Sequence, residues 1–393
     1  MVLFSVGAVV NALSDSIGLL IAGRVLQGVA GGVFPLSFGI VRDTFPPQRM
    51  ATGLGLVGAI FGIGGGIGLP LSGVIVDHID VSWLFWSNLI AVPAAVAAWW
   101  LVPPSPTVER VRIDWLGAFV LSIALGAVLL AVTQTHEWEW GSTPNVTLLG
   151  GGLVAALVWV WLEARTPDPL IELRLLSQRA VAATNLSSFM IGVAMFANFF
   201  TVPQFAQVPE RSGYGFGASV TVAGLLMAPA AFAQLIAGPF GGRLGMRIGF
   251  RALLALGALL IAGSCLAMAV AHEHEWEIIG SGVLLGAGVA LSLAAMASLI
   301  VGAVPQSDVG IATGINTVMR TMGGAFGSAT ITAILAANLL AGTPFPTEGA
   351  YTAAFGAAAF AGLLAFGAAL LVPRVERAEV APGAQPAAAP TRP

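Results

Sequence analysis

Apolar residues run in blocks of about 20 along most of this chain. Short polar stretches between the blocks carry most of its charge. A helix rises about 1.5 Å per residue, so a block of that length crosses the roughly 30 Å hydrocarbon core of a bilayer. The pattern predicts an all-α polytopic membrane protein with about twelve spans, over residues 1–13, 17–40, 52–76, 82–102, 115–133, 146–162, 180–207, 218–239, 251–271, 277–304, 309–336 and 350–372. The first block is too short: its apolar residues rise only about 20 Å. No basic stretch precedes it, which argues against a signal peptide. The chain is expected to start inside a helix, with material missing upstream.

Arginine sets the orientation. Lysine is absent, so the 16 basic residues are all arginine. Thirteen of them (Arg42, Arg49, Arg110, Arg112, Arg165, Arg174, Arg179, Arg243, Arg247, Arg251, Arg374, Arg377 and Arg392) fall between spans on one side, against Arg211 alone on the other. Positive charge is retained on the cytoplasmic side, so both termini are expected there, in the cytoplasmic membrane of a bacterium. The four histidines, His78, His136, His272 and His274, then lie outside. Proline-rich breaks at Pro103–Pro106 and Thr166–Pro169 divide the chain. The expected units are four spans over 1–102, a linker with two further spans over 103–175, six spans over 176–373, and a disordered Ala/Pro-rich tail over 374–393.

Composition agrees with this division and adds little. The charged share is 9%, against about 25% in soluble domains. The single cysteine, Cys265, excludes a disulfide within one chain. The net charge of −3 is uninformative for a chain whose charges are segregated by membrane side, and no nucleic-acid partner is expected.

Two arginines, Arg24 and Arg320, sit inside predicted spans, where an ion costs roughly 3 kcal/mol or more and normally faces a protein-lined interior. Arg24 lies in Leu20-x3-Arg24-x2-Gln27-Gly28, and Arg320 follows Thr313 and Asn316 on one helical face. The next span carries Gly55, Gly64 and Gly68 and ends Pro70-Leu71-Ser72-Gly73. Gly64, Gly68 and Ser72, four apart, form a small-residue stripe along which a second helix can pack closely. Gly242-x-Leu244-Gly245-Met246-Arg247-x-Gly249-x-Arg251 follows the eighth span.

Together these motifs resemble the major facilitator superfamily, in particular its fourteen-helix drug:proton antiporters, over about residues 1–373. The resemblance implies a two-bundle helical fold that works by alternating access. It assigns Arg24 and Gln27 to the fourth family helix, where the arginine serves proton coupling. The stretch Gly55 to Gly73 matches the antiporter motif of the fifth, with its proline displaced by one position and Ser72 in place of a glycine. Gly242, Arg247, Gly249 and Arg251 match a cytoplasmic gating loop, with Met246 where the family has an acid. Thr313, Asn316 and Arg320 match the eleventh helix of that branch, and Asp114-Trp115-Leu116-Gly117 the start of its first inserted linker helix. By this mapping the first two family helices are missing from the chain.

The predicted partners are therefore protons, the bilayer and a lipophilic small molecule, expected to be cationic. Asn185, Phe189, Phe196 and Phe200 would give it a polar end and aromatic faces on one side of the seventh span. A monomer is expected. No cofactor or metal is expected: His272-Glu273-His274-Glu275 and His136-Glu137 read as solvated loops, and Gly62 to Gly68 has neither the strand nor the lysine of a phosphate loop. No catalytic set is visible, so the chain is read as no enzyme. The competing expectations are an exporter of a single metabolite or antibiotic and a non-transporting, truncated membrane fragment or scaffold.

Overall fold

A computed structural model describes residues 1–102, 114–134, 138, 141–166, 177–305 and 308–373, with some side chains between 34 and 69 and that of Thr133 left out. The prolines opening and closing the expected linker, His136-Glu137 and the tail 374–393 lie outside the described residues. The helices are α1 (Val2–Ala12), α2 (Ile17–Gly28), α3 (Val33–Thr44), α4 (Pro47–His78), α5 (Ser82–Ser87), α6 (Ala91–Leu101), α7 (Trp115–Thr133), α8 (Thr143–Glu163), α9 (Arg179–Gln207), α10 (Val220–Ile248), α11 (Phe250–Val270), α12 (Glu275–Ala303), α13 (Val309–Ala337) and α14 (Glu348–Leu371). Among the described residues the only isolated β pairing is a bridge between Leu339 and Pro346.

The protein is an all-helical, membrane-type chain. Eight described helices are long and apolar enough to cross a bilayer. Ser82–Leu101 counts as one of them, although the 3-10 turn Asn88–Ile90 separates α5 from α6. The expected span 17–40 is likewise interrupted by a 3-10 turn over Val29–Gly32, where Gly28, Gly31 and Gly32 weaken the α-helix. Helix α13 is long enough at 29 residues but is not in the apolar set. Its Thr313, Asn316, Thr317, Arg320 and Thr321 lower its hydropathy.

From Arg179 onward the helices form one tightly packed group. Helix α9 lies against α13 and α14, α12 against α10 and α11, and α11 against α14. The core is aliphatic towards one end, with Ile191, Met195, Leu253, Ile261, Leu285 and Met296 fully buried. Towards the other end it is aromatic. There Phe205 meets Tyr351 at 5.2 Å, His272 at 5.2 Å and Tyr214 at 5.9 Å between ring centres. Such edge and offset contacts add about 0.5–1.5 kcal/mol per pair beyond area burial. Burial pushes the Tyr214 hydroxyl above its ordinary pKa, and that hydroxyl donates to the Pro346 carbonyl.

His272 departs from the expected solvated loop. It is buried, with Nδ1 2.8 Å from the Met268 carbonyl and Nε2 3.2 Å from Glu348 Oε1. His274 and Glu277 form a capping box at the start of α12. These polar residues therefore terminate helices, and no cluster of three metal-ligating side chains occurs among the described residues.

Candidate functional site

The α9–α13 seam is built from glycine. A Cβ on Gly323 would lie 1.9 Å from the Phe189 carbonyl oxygen, and one on Gly192 2.1 Å from that of Arg320. No side chain fits at either point, so the two backbones touch. That approach brings polar groups together at membrane depth. Asn316 Nδ2 donates to Asn185 Oδ1 at 2.9 Å, and Ser188 Oγ donates to the Asn316 carbonyl at 3.0 Å. Thr313 is buried but turns back on its own helix, its hydroxyl donating to the Val309 carbonyl at 2.7 Å. Arg320 follows one turn after Asn316, only 7% exposed, beside the glycine contact and bonded within the protein.

An interhelical amide bond in a membrane bundle contributes about 0.6 kcal/mol on average and at most about 1.7. Asn316→Ala should lower resistance to denaturant unfolding in detergent by an amount in that range. A loss of several kcal/mol would mean that the bond has a larger structural share than this geometry gives it.

The second cluster links α1 and α2. Gln27 Oε1 accepts from Asn11 Nδ2 at 3.1 Å and from Arg24 Nη1 at 3.3 Å. Asn11 and Gln27 are buried, whereas Arg24 is exposed, with its guanidinium 5.2 Å from the Phe85 ring centre. Arg320 is thus buried in the α9–α13 seam, while Arg24 lies at a protein surface. Helix α2 is not packed along α13, so the two arginines belong to separate clusters.

Helix α4 carries the glycine stripe, but a Cβ on Gly64 or Gly68 would meet nothing within 4 Å, and both glycines are exposed. Gly55 is helical in the same segment, and Pro70 sits inside the helix. Close approach occurs at Gly73, where a Cβ would lie 2.6 Å from Thr221 Cα on α10. One turn on, Asp77 Oδ2 accepts from the Thr221 N–H at 2.9 Å and from its hydroxyl at 2.6 Å. Ser72 is half-buried and bonded. The packing partner of the motif helix is therefore α10, reached through the end of the motif.

Gly242 and Arg247 lie within α10 and not on the expected loop; the chain turns at Gly249, with φ +89, straight into α11. Arg251 Nη2 donates to the Leu370 carbonyl in the last turn of α14. That is a favourable place for a cation, because carbonyls are unsatisfied there.

The aromatic residues do not line one wall. Asn185 is buried under Asn316, and the Phe196 ring lies over Gly324. Phe189 stands 6.2 Å from Phe326, at one edge of an apolar groove of about 270 Å³ between α9, α13 and α14. Phe196 and Phe200 remain 36% and 38% exposed.

Sequence reasoning missed Asn11, Ser188, Asp77 and Glu163, and placed Gly192 on the aromatic face of its span without its role in the seam. Glu163, at the end of α8, is 2% exposed, and its Oε2 would lie 3.0 Å from a Cβ on Gly117. Asp114 caps α7 beside it, with Oδ1 accepting from the Gly117 N–H at 2.9 Å.

Ionisable and amide side chains at membrane depth are rare in helical bundles and mark a functional interior. The chain belongs to the Major Facilitator Superfamily, whose model matches residues 1–215 and 184–393. It is 31% identical over 339 residues to an uncharacterized MFS-type transporter, Rv1877, of Mycobacterium tuberculosis, covering 85% of this chain and 48% of that protein. It is 31% identical over 349 residues to the multidrug resistance protein Stp of the same organism, covering 86% of this chain and 63% of Stp. The chain thus spans about half to two thirds of these relatives' length. Among solved structures, the human organic anion transporter MFSD10 (TETRAN) shares the fold with a TM-score of 0.63 at 18% identity, covering 94% of this chain and 75% of that one. The chain is a transporter-family protein, not an enzyme.

Proposed function

We propose that this chain exports lipophilic, cationic small molecules across the bacterial cytoplasmic membrane in exchange for protons. The helices of 1–102 and of 176–373 form two bundles that rock against each other, joined by the linker 103–175, with the C-terminus in the cytoplasm. The protein works as a monomer.

The observation that carries this reading is the buried Arg320, set among Asn185, Ser188 and Asn316 on the α9–α13 seam. A buried ion in a membrane bundle is costly and marks a substrate or ion pathway. The exposed Arg24, held by Gln27 and Phe85, adds a second positive charge able to lower the pKa of a carboxylate brought near it. Phe196 and Phe200 offer exposed ring faces to a flat cation. The name of Stp, a multidrug resistance protein, points the same way.

The test compares gradient-driven dye efflux from vesicles carrying the unaltered chain or Arg24→Ala. Efflux should fall at least about tenfold, equivalent to about 1.4 kcal/mol on the transport barrier, with membrane insertion unchanged. Equal efflux would remove Arg24 from the coupling machinery.

A further inference from the structure

Resting on that reading, we infer that Asp77 is an outer latch between the two bundles, holding α4 against the first turn of α10 while the outer side is closed. Asp77 is the second-last residue of α4, and Thr221 the second of α10, 144 positions later. One carboxylate oxygen takes both donors of Thr221, next to Ser219, whose side chain caps α10 by accepting from the Val222 N–H. Amides of a helix's first turn lack intrahelical acceptors and sit at the positive end of its dipole, so an anion is well placed there. Here the anion comes from another helix, in the other proposed bundle. One turn earlier Gly73 lets the α4 backbone touch Val220 and Thr221, which fixes the carboxylate in reach. Arginine placement puts this end of both helices outside. Opening the outer side by separating α4 from α10 would break these bonds together.

The hydrogen bonds from Thr221 hold the Asp77 carboxyl below its usual 3.8. His78 beside it adds a favourable charge. Helix α10 faces it with Ser219 and Thr221, neither titratable in this range. Helix α12, which also packs on α4, has Glu275 and Glu277 in its first turn, and Asp80 is occupied in capping Ser82. With the closed-state pKa depressed, the latch is fully present above the open-state value of about 3.9 and is lost as pH falls through the lower closed-state value. The latch therefore stays shut at neutral pH and is released by acid on the outer side.

The test reads distance, so it stands or falls separately from transport. Nitroxides on cysteines replacing Ile79 and Leu225, 61% and 54% exposed, report the separation of α4 and α10, while the native Cys265 is fully buried. In the full chain at pH 7 one short distance is expected. Asp77→Ala should add a longer population at least several-fold above the unaltered chain, and Thr221→Val, which keeps its N–H, an intermediate one. At pH 3 the unaltered chain should move towards the Asp77→Ala distribution, which itself should not respond to pH. Superimposable distributions at both pH values would overturn the latch. If Asp77→Ala fails to fold, Thr221→Val and the pH response of the unaltered chain decide: both unchanged would equally overturn it.

Discussion

Gly323→Leu is expected to leave little folded protein. A first side-chain carbon on Gly323 would lie 1.9 Å from the Phe189 carbonyl oxygen, well inside van der Waals contact. Leucine can be accommodated only if α13 and α9 separate, and Gly192 on the opposite helix repeats the constraint 2.1 Å from the Arg320 carbonyl. Overpacking a well-filled core costs typically about 1–3 kcal/mol and occasionally more. Here the obstacle is backbone, so the upper end applies, and the Asn185–Asn316 bond is lost with the separation. Size-exclusion chromatography in detergent should show aggregate in place of a monodisperse peak. Gly314, beside which a Cβ would meet nothing within 4 Å, is the control: Gly314→Ala should behave as the unaltered chain. A monodisperse Gly323→Leu with normal unfolding would show that the seam is looser than its geometry.

Arg320→Ala should abolish transport and also weaken the fold. Arg320 is buried and bonded within the protein, and a buried group left without its hydrogen-bond partner costs about 1–3 kcal/mol, because it loses its bond without regaining water. Arg320→Lys separates the two effects. Lysine keeps the charge, recovers part of the stability and lacks the planar five-donor fork. Efflux should stay at least about tenfold below that of the unaltered chain, or 1.4 kcal/mol on the barrier, at near-normal unfolding. Full transport with lysine would reduce Arg320 to a generic counter-charge.

The later helices were legible because their apolar blocks are long and sharply bounded. The span expected over 180–207 is α9 at Arg179–Gln207, and that over 309–336 is α13 at Val309–Ala337. Periodicity also placed Thr313, Asn316 and Arg320 on one face, and all three are buried. It could not show which face of α9 meets them, because Ser188 and Gly192 carry no signal distinguishing a seam from ordinary small residues. Hydropathy averages over a window, so the glycine-bearing 3-10 turn at Val29–Gly32 and the short one at Asn88–Ile90, set among apolar residues, were both invisible in it. Nothing in the sequence sets Asp77 apart, since its partner lies 144 residues away and only tertiary packing brings the two together. The loop expected around Gly242–Arg251 is mostly helix, with Gly242 and Gly245 buried in α10 and the turn made at Gly249 by its positive φ. Asn11 was hidden in an apolar run whose single amide reads as an imperfection until Gln27 is seen opposite it.

The central claim is transport driven by a proton gradient, and efflux from proteoliposomes tests it most directly. The purified chain would be reconstituted, loaded with a lipophilic cationic dye and given an acidic exterior. The account predicts dye export that rises with the pH difference, stops when an uncoupler collapses it, and acidifies the lumen as dye leaves. Dye release that ignores the gradient, or no release beyond that of protein-free liposomes, would contradict it.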